Sequence, residues 1–251
     1  PVLDVVPVWK RSRPILETPT EPSSRRADPG ELSSAVEVSR VRFRYHADGP
    51  LVLDDVSFRA EPGEFVALVG PSGSGKSTLY RMLLGFESPE AGAVLYDGLD
   101  LAGLDLAAVR RQLGAVLQNS QLLNGTVYDN IAGTSRMTMD EAMEAARLCG
   151  LEDDVKAMPM GLHTMVGVGG AGLSGGQRQR ILIARAIARR PRILLFDEAT
   201  SALDNHTQAV VSRTLEQLRA TRVVIAHRLS TIRNADRIVV LVNGRVAETG
   251  T

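Results

Sequence analysis

The chain of 251 residues carries 29 basic and 29 acidic side chains, so its formal charge is zero, and 44% of it is hydrophobic. That balance excludes the clustered basic surplus by which nucleic acid is bound, while the apolar share suffices for the core of one large or two small domains. The single cysteine, Cys149, excludes an internal disulfide framework and reads as a small buried side chain in a reducing compartment.

Residues 1–34 hold six of the twelve prolines and show no sustained period. Fixed φ and missing donors predict an extended connector there. Its apolar points, Val8, Trp9, Ile15 and Leu16, either pack on a neighbouring surface or belong to a partly disordered linker. The chain opens on Pro1 and stops at "GRVAETGT", and it reads as a piece excised from a longer polypeptide. No signal peptide is visible, and no run of about eighteen apolar residues is present to cross a membrane.

Residues 35–251 read as the folded domain. "VEVSRVRFRY" and "VLDDVSFRA" alternate as half-buried strands do, with a turn at "DGP" between them. "EFVALVG" is almost continuously apolar, as a strand buried on both faces is. It feeds a glycine-rich turn and the helical "KSTLYRMLLGF". "GAVLYDG" and "LGAVLQ" are further strands around the helical "DLAAVRRQ". From about 119 to 189 the pattern is mostly helical, in "TVYDNIA", "TMDEAMEAARLCG", "LEDDVKAM" and "SGGQRQRILIARAIARR". Strands return with "RILLFDE", "RVVIAH" and "RIVVLVNG". The predicted fold is therefore α/β, with an antiparallel β portion first, a mostly parallel core sheet and a helical insert.

Three strands end in chemistry. After the first comes "GPSGSGKST", residues 70–78, a G-x-x-x-x-G-K-S loop between a buried strand and a helix. Gly70, Gly73 and Gly75 let the backbone, with Pro71, Ser72 and Ser74, wrap phosphate oxygens so that successive N–H groups point inward. The helix dipole adds to that field. Lys76 reaches the β- and γ-phosphates, Ser77 offers its hydroxyl to Mg²⁺, and Thr78 hydrogen-bonds a phosphate. The second strand runs into Asp197 and Glu198. Ligands of open α/β sheets bind at the carboxyl ends of strands, and neighbouring residues on a strand point opposite ways. Asp197 thus suits Mg²⁺ coordination and Glu198 the polarisation of an attacking water. The third strand ends at His227, placed to bond a γ-phosphate or that water. His46, His163 and His206 lack such a position and read as packed or surface residues. The combination is that of a nucleotide hydrolase.

"LSGGQ", 173–177, begins another helix. Ser174 with Gln177 three residues on is a capping box. A cap does not need Gly175 and Gly176, each of which costs about 1 kcal/mol of helix propensity. Their use is close backbone approach to an anion. In the helix that follows, Ile181, Ala184, Ile187 and Ala188 fall within one face and predict its buried side. Arg178, Arg185 and Arg189 share another face, read as solvated or ion-paired, with contact to a membrane domain as the alternative.

"GPSGSGKST", "LSGGQRQR", "ILLFDEATSALD" and "IAHRLST", in this order, resemble the ATP-binding cassette family from about residue 36 to the end. The resemblance implies the P-loop NTPase fold with a RecA-like core, and a head-to-tail dimer. Two ATP molecules with Mg²⁺ are then each held between one P-loop and the other subunit's Ser174, Gly175, Gly176 and Gln177. It also implies that Tyr45 stacks on adenine, that Gln118 touches Mg²⁺ and hinges the helical insert, and that Asp204 lies on a loop crossing the dimer. "DEATSALD" and "AHRLST" are similar to the exporter type, in which the cassette follows a membrane domain on the same chain. Residues 1–34 are then the connector from that domain, the second cassette is identical or different, and the site of action is the cytoplasmic face of the membrane. "EFVALVGPSGSGKST" and "AMPMGLHT" resemble exporters of bacteriocin-like peptides with nitrile-hydratase-like leaders. The sequence departs from the pattern at Val168, where a glutamate is usual in the loop facing the membrane domain, and more mildly at Asn119 and Leu123. Two other readings are a soluble cassette ATPase acting on DNA or ribosomes and a regulator that binds ATP without turnover. The former lacks its usual coiled coils or basic surface here. The latter is opposed by the presence of Glu198 and His227.

Overall fold

A computed structural model describes residues 2–17, 26–197, 199, 202–226 and 228–251. The first element corrects the expectation of an extended connector: Val2–Glu17 is a helix, α1. Only Pro7 and Pro14 fall inside it, and an average over 34 residues hides this. Arg13 and Glu17, spaced i,i+4, pair at 2.7 Å in its last turn. Val8, Trp9, Ile15 and Leu16 are exposed on it. The folded body also starts before residue 35. Leu32 is 2% exposed, its N–H donates to Gln112 Oε1 at 2.9 Å, and Ala27 bridges Leu104.

The body continues with β1 (Val36–Phe43), β2 (Leu53–Ala60), β3 (Phe65–Val69), α2 (Lys76–Leu83), β4 (Ala91–Tyr96), β5 (Leu99–Asp100), α3 (Leu106–Arg111) and β6 (Leu113–Val116). The insert follows as β7 (Gly125–Thr126), α4 (Val127–Ala132), α5 (Met139–Leu148), α6 (Glu152–Ala157), β8 (Met165–Val166) and α7 (Gly175–Ile187). The chain then returns through β9 (Ile193–Asp197), α8 (Asn205–Gln217), β10 (Thr221–Ile225), α9 (Leu229–Ile232), β11 (Arg237–Val242) and β12 (Arg245–Gly250).

An antiparallel sheet has the order β2-β1-β4-β5, and the central sheet the order β12-β11-β3-β10-β9-β6. Every pairing in the central sheet is parallel except that of β12 with β11. Strand alternation divides the apolar interior in two. Ile193 and Leu195 of β9 face the core shared by the antiparallel sheet and α2. Leu194 and Phe196 of the same strand face a second core with the insert helices and α8. The phenol of Tyr80, on α2, ties the layers by donating to the carbonyls of Phe196, at 3.0 Å, and Val223.

Local signals explain the insert. Capping boxes start α4, α5 and α7, at Thr126 with Asp129, Thr138 with Glu141, and Ser174 with Gln177. Pairing of β7 with β8 closes its base. Along α7, Ile181, Ala184 and Ile187 are buried as expected and Ala188 is half-buried, but Ile183 and Ala186 are buried too. The arginine stripe needs correction at Arg185. Its Nε donates to Asn130 O at 2.5 Å and its Nη2 to Asn130 Oδ1 at 2.6 Å. Burial lowers its pKa from the ordinary arginine value. The helix is sandwiched between the sheet and α4, so a guanidinium on its flank finds a buried amide instead of water. Arg178 and Arg189 stay exposed.

Candidate active site

The loop between β3 and α2 is shaped by close approach. A Cβ on Gly70 (φ 149°) would lie 2.0 Å from Leu241 O, and one on Gly75 (φ 100°) 2.9 Å from Val52 O. Only glycine fits either position. Gly73 takes φ 78° in open space, where conformation alone favours glycine. Ser74 is buried, its N–H bonds Pro71 O at 3.2 Å, and its own carbonyl accepts from Gly244 N at 3.2 Å. Gly75 precedes the helix without a side chain to cap it, and no acidic residue stands in the first turn of α2. First-turn N–H groups and the positive helix end therefore face the cleft. Lys76 is 6% exposed. Its Nζ donates to the carbonyls of Gly70 and Pro71, both at 2.9 Å, so the ammonium sits within the loop that it is expected to serve.

A cleft of about 260 Å³ joins Ser72, Gly73, Gly75, Lys76, Ser77 and Thr78 to Gln118, past the end of β6, and Asp197, at the end of β9. Asp197 is buried, and Ser77 Oγ lies 3.5 Å from its Oδ2. A hydroxyl, a carboxylate and an amide are the hard oxygen donors that Mg²⁺ takes alongside phosphate, so these residues fit that ion. The Asp197 charge adds to burial in raising the pKa of Tyr80 behind it. Tyr45 stands at the rim, 49% exposed and edge-on to Phe43. Its hydroxyl is 3.0 Å from Thr78 Oγ1, so Thr78 has a protein partner here besides the phosphate expected for it. Glu198 and His227, the expected catalytic residues, lie outside the described residues.

The structure does not bring the residues of "LSGGQ" to this cleft. Ser174 Oγ accepts from Gln177 N at 3.1 Å, and Gln177 Oε1 accepts from Ser174 N at 2.9 Å, as the capping box requires. Gln177 Nε2 also donates to Asp154 Oδ1 at 2.7 Å, and Arg180 pairs with Asp154 at 2.9 Å. These bonds hold the start of α7 to α6, an anchor with no signature in the spacing of the sequence. A Cβ on Gly175 would come no nearer than 3.9 Å to another atom, and one on Gly176 no nearer than 3.6 Å. Both are ordinary contact distances, and neither glycine has positive φ. Asp204 caps α8, accepting from Thr207 N at 3.0 Å and Thr207 Oγ1 at 2.7 Å. These bonds hold its pKa down to about 2. A second cleft of about 250 Å³, between α7 and the loop after β9, shares Gln118 and Asp197 with the first.

Sequence and structure comparisons agree with this geometry. The family model described as "ABC transporter" matches residues 53–201. The exotoxin translocation ATP-binding protein PaxB of Pasteurella aerogenes is 45% identical over all of this chain and 37% of its own length. The alpha-hemolysin translocation ATP-binding protein HlyB of Escherichia coli O157:H7 is 46% identical over 94% of this chain and 34% of its own length. A bacterial Atm1-family ABC exporter with ATP bound superposes with a TM-score of 0.87 at 38% identity, over 98% of this chain and 44% of its own. The chain belongs to the ABC transporter family and corresponds to its ATP-binding domain. It spans about a third of the length of these curated relatives, and among the described residues no helix is long and apolar enough to cross a membrane.

Proposed function

We propose that the chain hydrolyses ATP as one half of a head-to-tail pair and so powers export of a polypeptide through a membrane domain, from the cytoplasmic face. The observation that carries this reading is the pair Gly175 and Gly176. Neither backbone angle nor neighbouring atoms within the chain require glycine at either position. Glycine there keeps a helix start bare for something arriving from outside, and a helix N-terminus suits a phosphate. The chain's own P-loop cleft has none of residues 174–177 among its described lining. A second copy, or a different cassette, supplies the phosphate that this helix start would cover.

In this reading Lys76 and the N–H groups of 72–78 hold the β- and γ-phosphates, and Tyr45 stacks on adenine. Ser77, Gln118 and Asp197 hold Mg²⁺, which when bound offsets phosphate charge. Glu198 orients and polarises the water, and His227 bonds the γ-phosphate. Asp204 lies on the loop crossing to the partner. Loss of the γ-phosphate removes the charge that both halves grip, and the pair opens. The cargo is inferred to be a polypeptide because PaxB and HlyB bear names for toxin translocation, and a bacteriocin-like peptide is the cargo suggested by the sequence pattern. The test is light-scattering mass of Glu198→Gln with and without MgATP. Dimers only with MgATP, abolished by adding Ser174→Arg, are expected. Dimers that survive Ser174→Arg would overturn the sandwich.

A further inference from the structure

We propose that Tyr80 is a positioning residue that sets the spacing between Ser77 and Asp197, an inference that rests on the assignment of Ser77, Gln118 and Asp197 to Mg²⁺. Ser77 stands in the first turn of α2, and Asp197 ends β9, 120 residues later along the chain. Their oxygens are 3.5 Å apart. Tyr80 joins the two elements directly behind that gap. It follows Ser77 by one turn of the same helix. Its hydroxyl donates at 3.0 Å to the carbonyl of Phe196, the residue before Asp197, and also to the carbonyl of Val223 on β10. β10 pairs with β9 so that Ile225 stands beside Asp197, and Ile225 lines the P-loop cleft. One phenol therefore fixes α2 against the cleft-side ends of both strands.

The side chain is 1% exposed. Filling that space does not require an oxygen, and a buried hydroxyl costs free energy unless it is bonded. What the hydroxyl adds to the packing of the ring is direction. A second buried phenol gives the contrast. Tyr96 on β4 is equally enclosed, and its hydroxyl donates to Leu83 O at 2.6 Å, at the last residue of α2. Both phenols anchor the same helix, but the bond of Tyr96 is made at the end remote from Ser77 and reaches neither β9 nor β10. Metal chemistry turns spacing into selectivity. Mg²⁺ demands near-ideal octahedral geometry at about 2.0–2.1 Å, whereas Ca²⁺ accepts oxygens at about 2.3–2.6 Å in flexible arrangements. Two ligands free to drift relative to each other therefore lose Mg²⁺ before they lose Ca²⁺.

The test measures ADP binding to the purified chain by calorimetry, in saturating Mg²⁺, in saturating Ca²⁺ and in a chelator. The wild type is expected to bind ADP more tightly with Mg²⁺ than in the chelator. Tyr80→Phe keeps the ring and should weaken binding in Mg²⁺ about two- to tenfold, the span one neutral hydrogen bond allows. Binding in Ca²⁺ and in the chelator should stay near the wild-type values, because Lys76 and the N–H groups of the loop are intact. On Ser77→Ala, which removes one of the two spaced side chains, Tyr80→Phe should add little. Tyr96→Phe should lower the melting temperature, as the loss of a buried bond does, yet keep the Mg²⁺-dependent affinity. Equal weakening in Mg²⁺ and Ca²⁺, weakening in the chelator, unchanged affinity in Mg²⁺, or the same metal effect from Tyr96→Phe would each overturn the assignment. A wild type that binds ADP no better with Mg²⁺ than without it would instead overturn the metal reading beneath it.

Discussion

Gly70 and Gly176 are both glycines at turns ready for an anion, yet different forces keep them. At Gly70 the fold itself forbids a side chain, since a Cβ would press on Leu241 O at 2.0 Å. At Gly176 the backbone is helical and the nearest atom, Ala202 O, would stand 3.6 Å from a Cβ. Alanine there removes backbone entropy from the unfolded chain and strains nothing in this chain. Gly176→Ala is therefore expected to stabilise the isolated chain by about 0.5–1 kcal/mol, a rise of about 1–4 °C in melting temperature. In the Glu198→Gln background it should also weaken ATP-dependent dimerisation severely, because the added methyl would stand where the proposed pairing brings the partner's phosphate. A destabilised monomer with normal dimerisation would mean that the glycine serves the fold. The contrast also explains what the sequence conveys at this scale. Both glycine runs are visible as anion-ready turns, but the contact that makes Gly70 obligatory comes from a strand 171 residues later, and no local pattern announces it.

At the scale of elements, Asn130 on α4 is a buried junction. Its Oδ1 accepts from Leu123 N at 2.8 Å and from Arg185 Nη2 at 2.6 Å, and its Nδ2 donates to Leu123 O and Thr126 O at 2.9 and 3.0 Å. One side chain thus joins α7, α4 and the segment that leads away from Gln118. Asn130→Ala would leave several of these groups without a partner in a site closed to water, a cost of about 2–4 kcal/mol. Denaturant unfolding should show that loss, whereas Asn130→Asp, which keeps the acceptor facing Arg185, should lose less. Equal losses for the two replacements would show that the amide donor carries the junction. The sequence marks α4 by its capping box but gives no sign of this role for Asn130, because its partners lie on two separate segments. Other elements escape for simpler reasons. In α8 the deeply buried apolar side chains are Val211 and Leu215 amid polar neighbours, so the apolar period is faint. In β12, at the sheet edge, only Val246 is even half-buried, so no alternation forms. The β3, β9 and β10 strands are legible because both faces of each are buried, and their ends carry the site.

For the whole molecule, the proposed pairing has one chain serve two different nucleotides, one at its P-loop and one at the start of α7. The P-loop cleft alone can bind ATP, and any ligand of the folded state raises the melting temperature according to its concentration and affinity. On the proposed pairing the start of α7 would contribute only when a second chain is present, and that contribution would depend on protein concentration as well. The two can therefore be separated by melting Glu198→Gln with MgATP over a wide range of chain concentrations. Without nucleotide, the melting temperature should not depend on chain concentration. With saturating MgATP it should be higher, and it should climb further as the chain is concentrated. Ser174→Arg should keep the first increment and remove the climb, because it blocks the helix start and leaves the P-loop untouched. Lys76→Ala should lose both, because the ammonium proposed to hold the phosphates is gone. A climb that persists in Ser174→Arg would place the dimer contact elsewhere on the surface. In that case the bare glycines at 175 and 176 would need an explanation within the single chain, where the packing around them offers none.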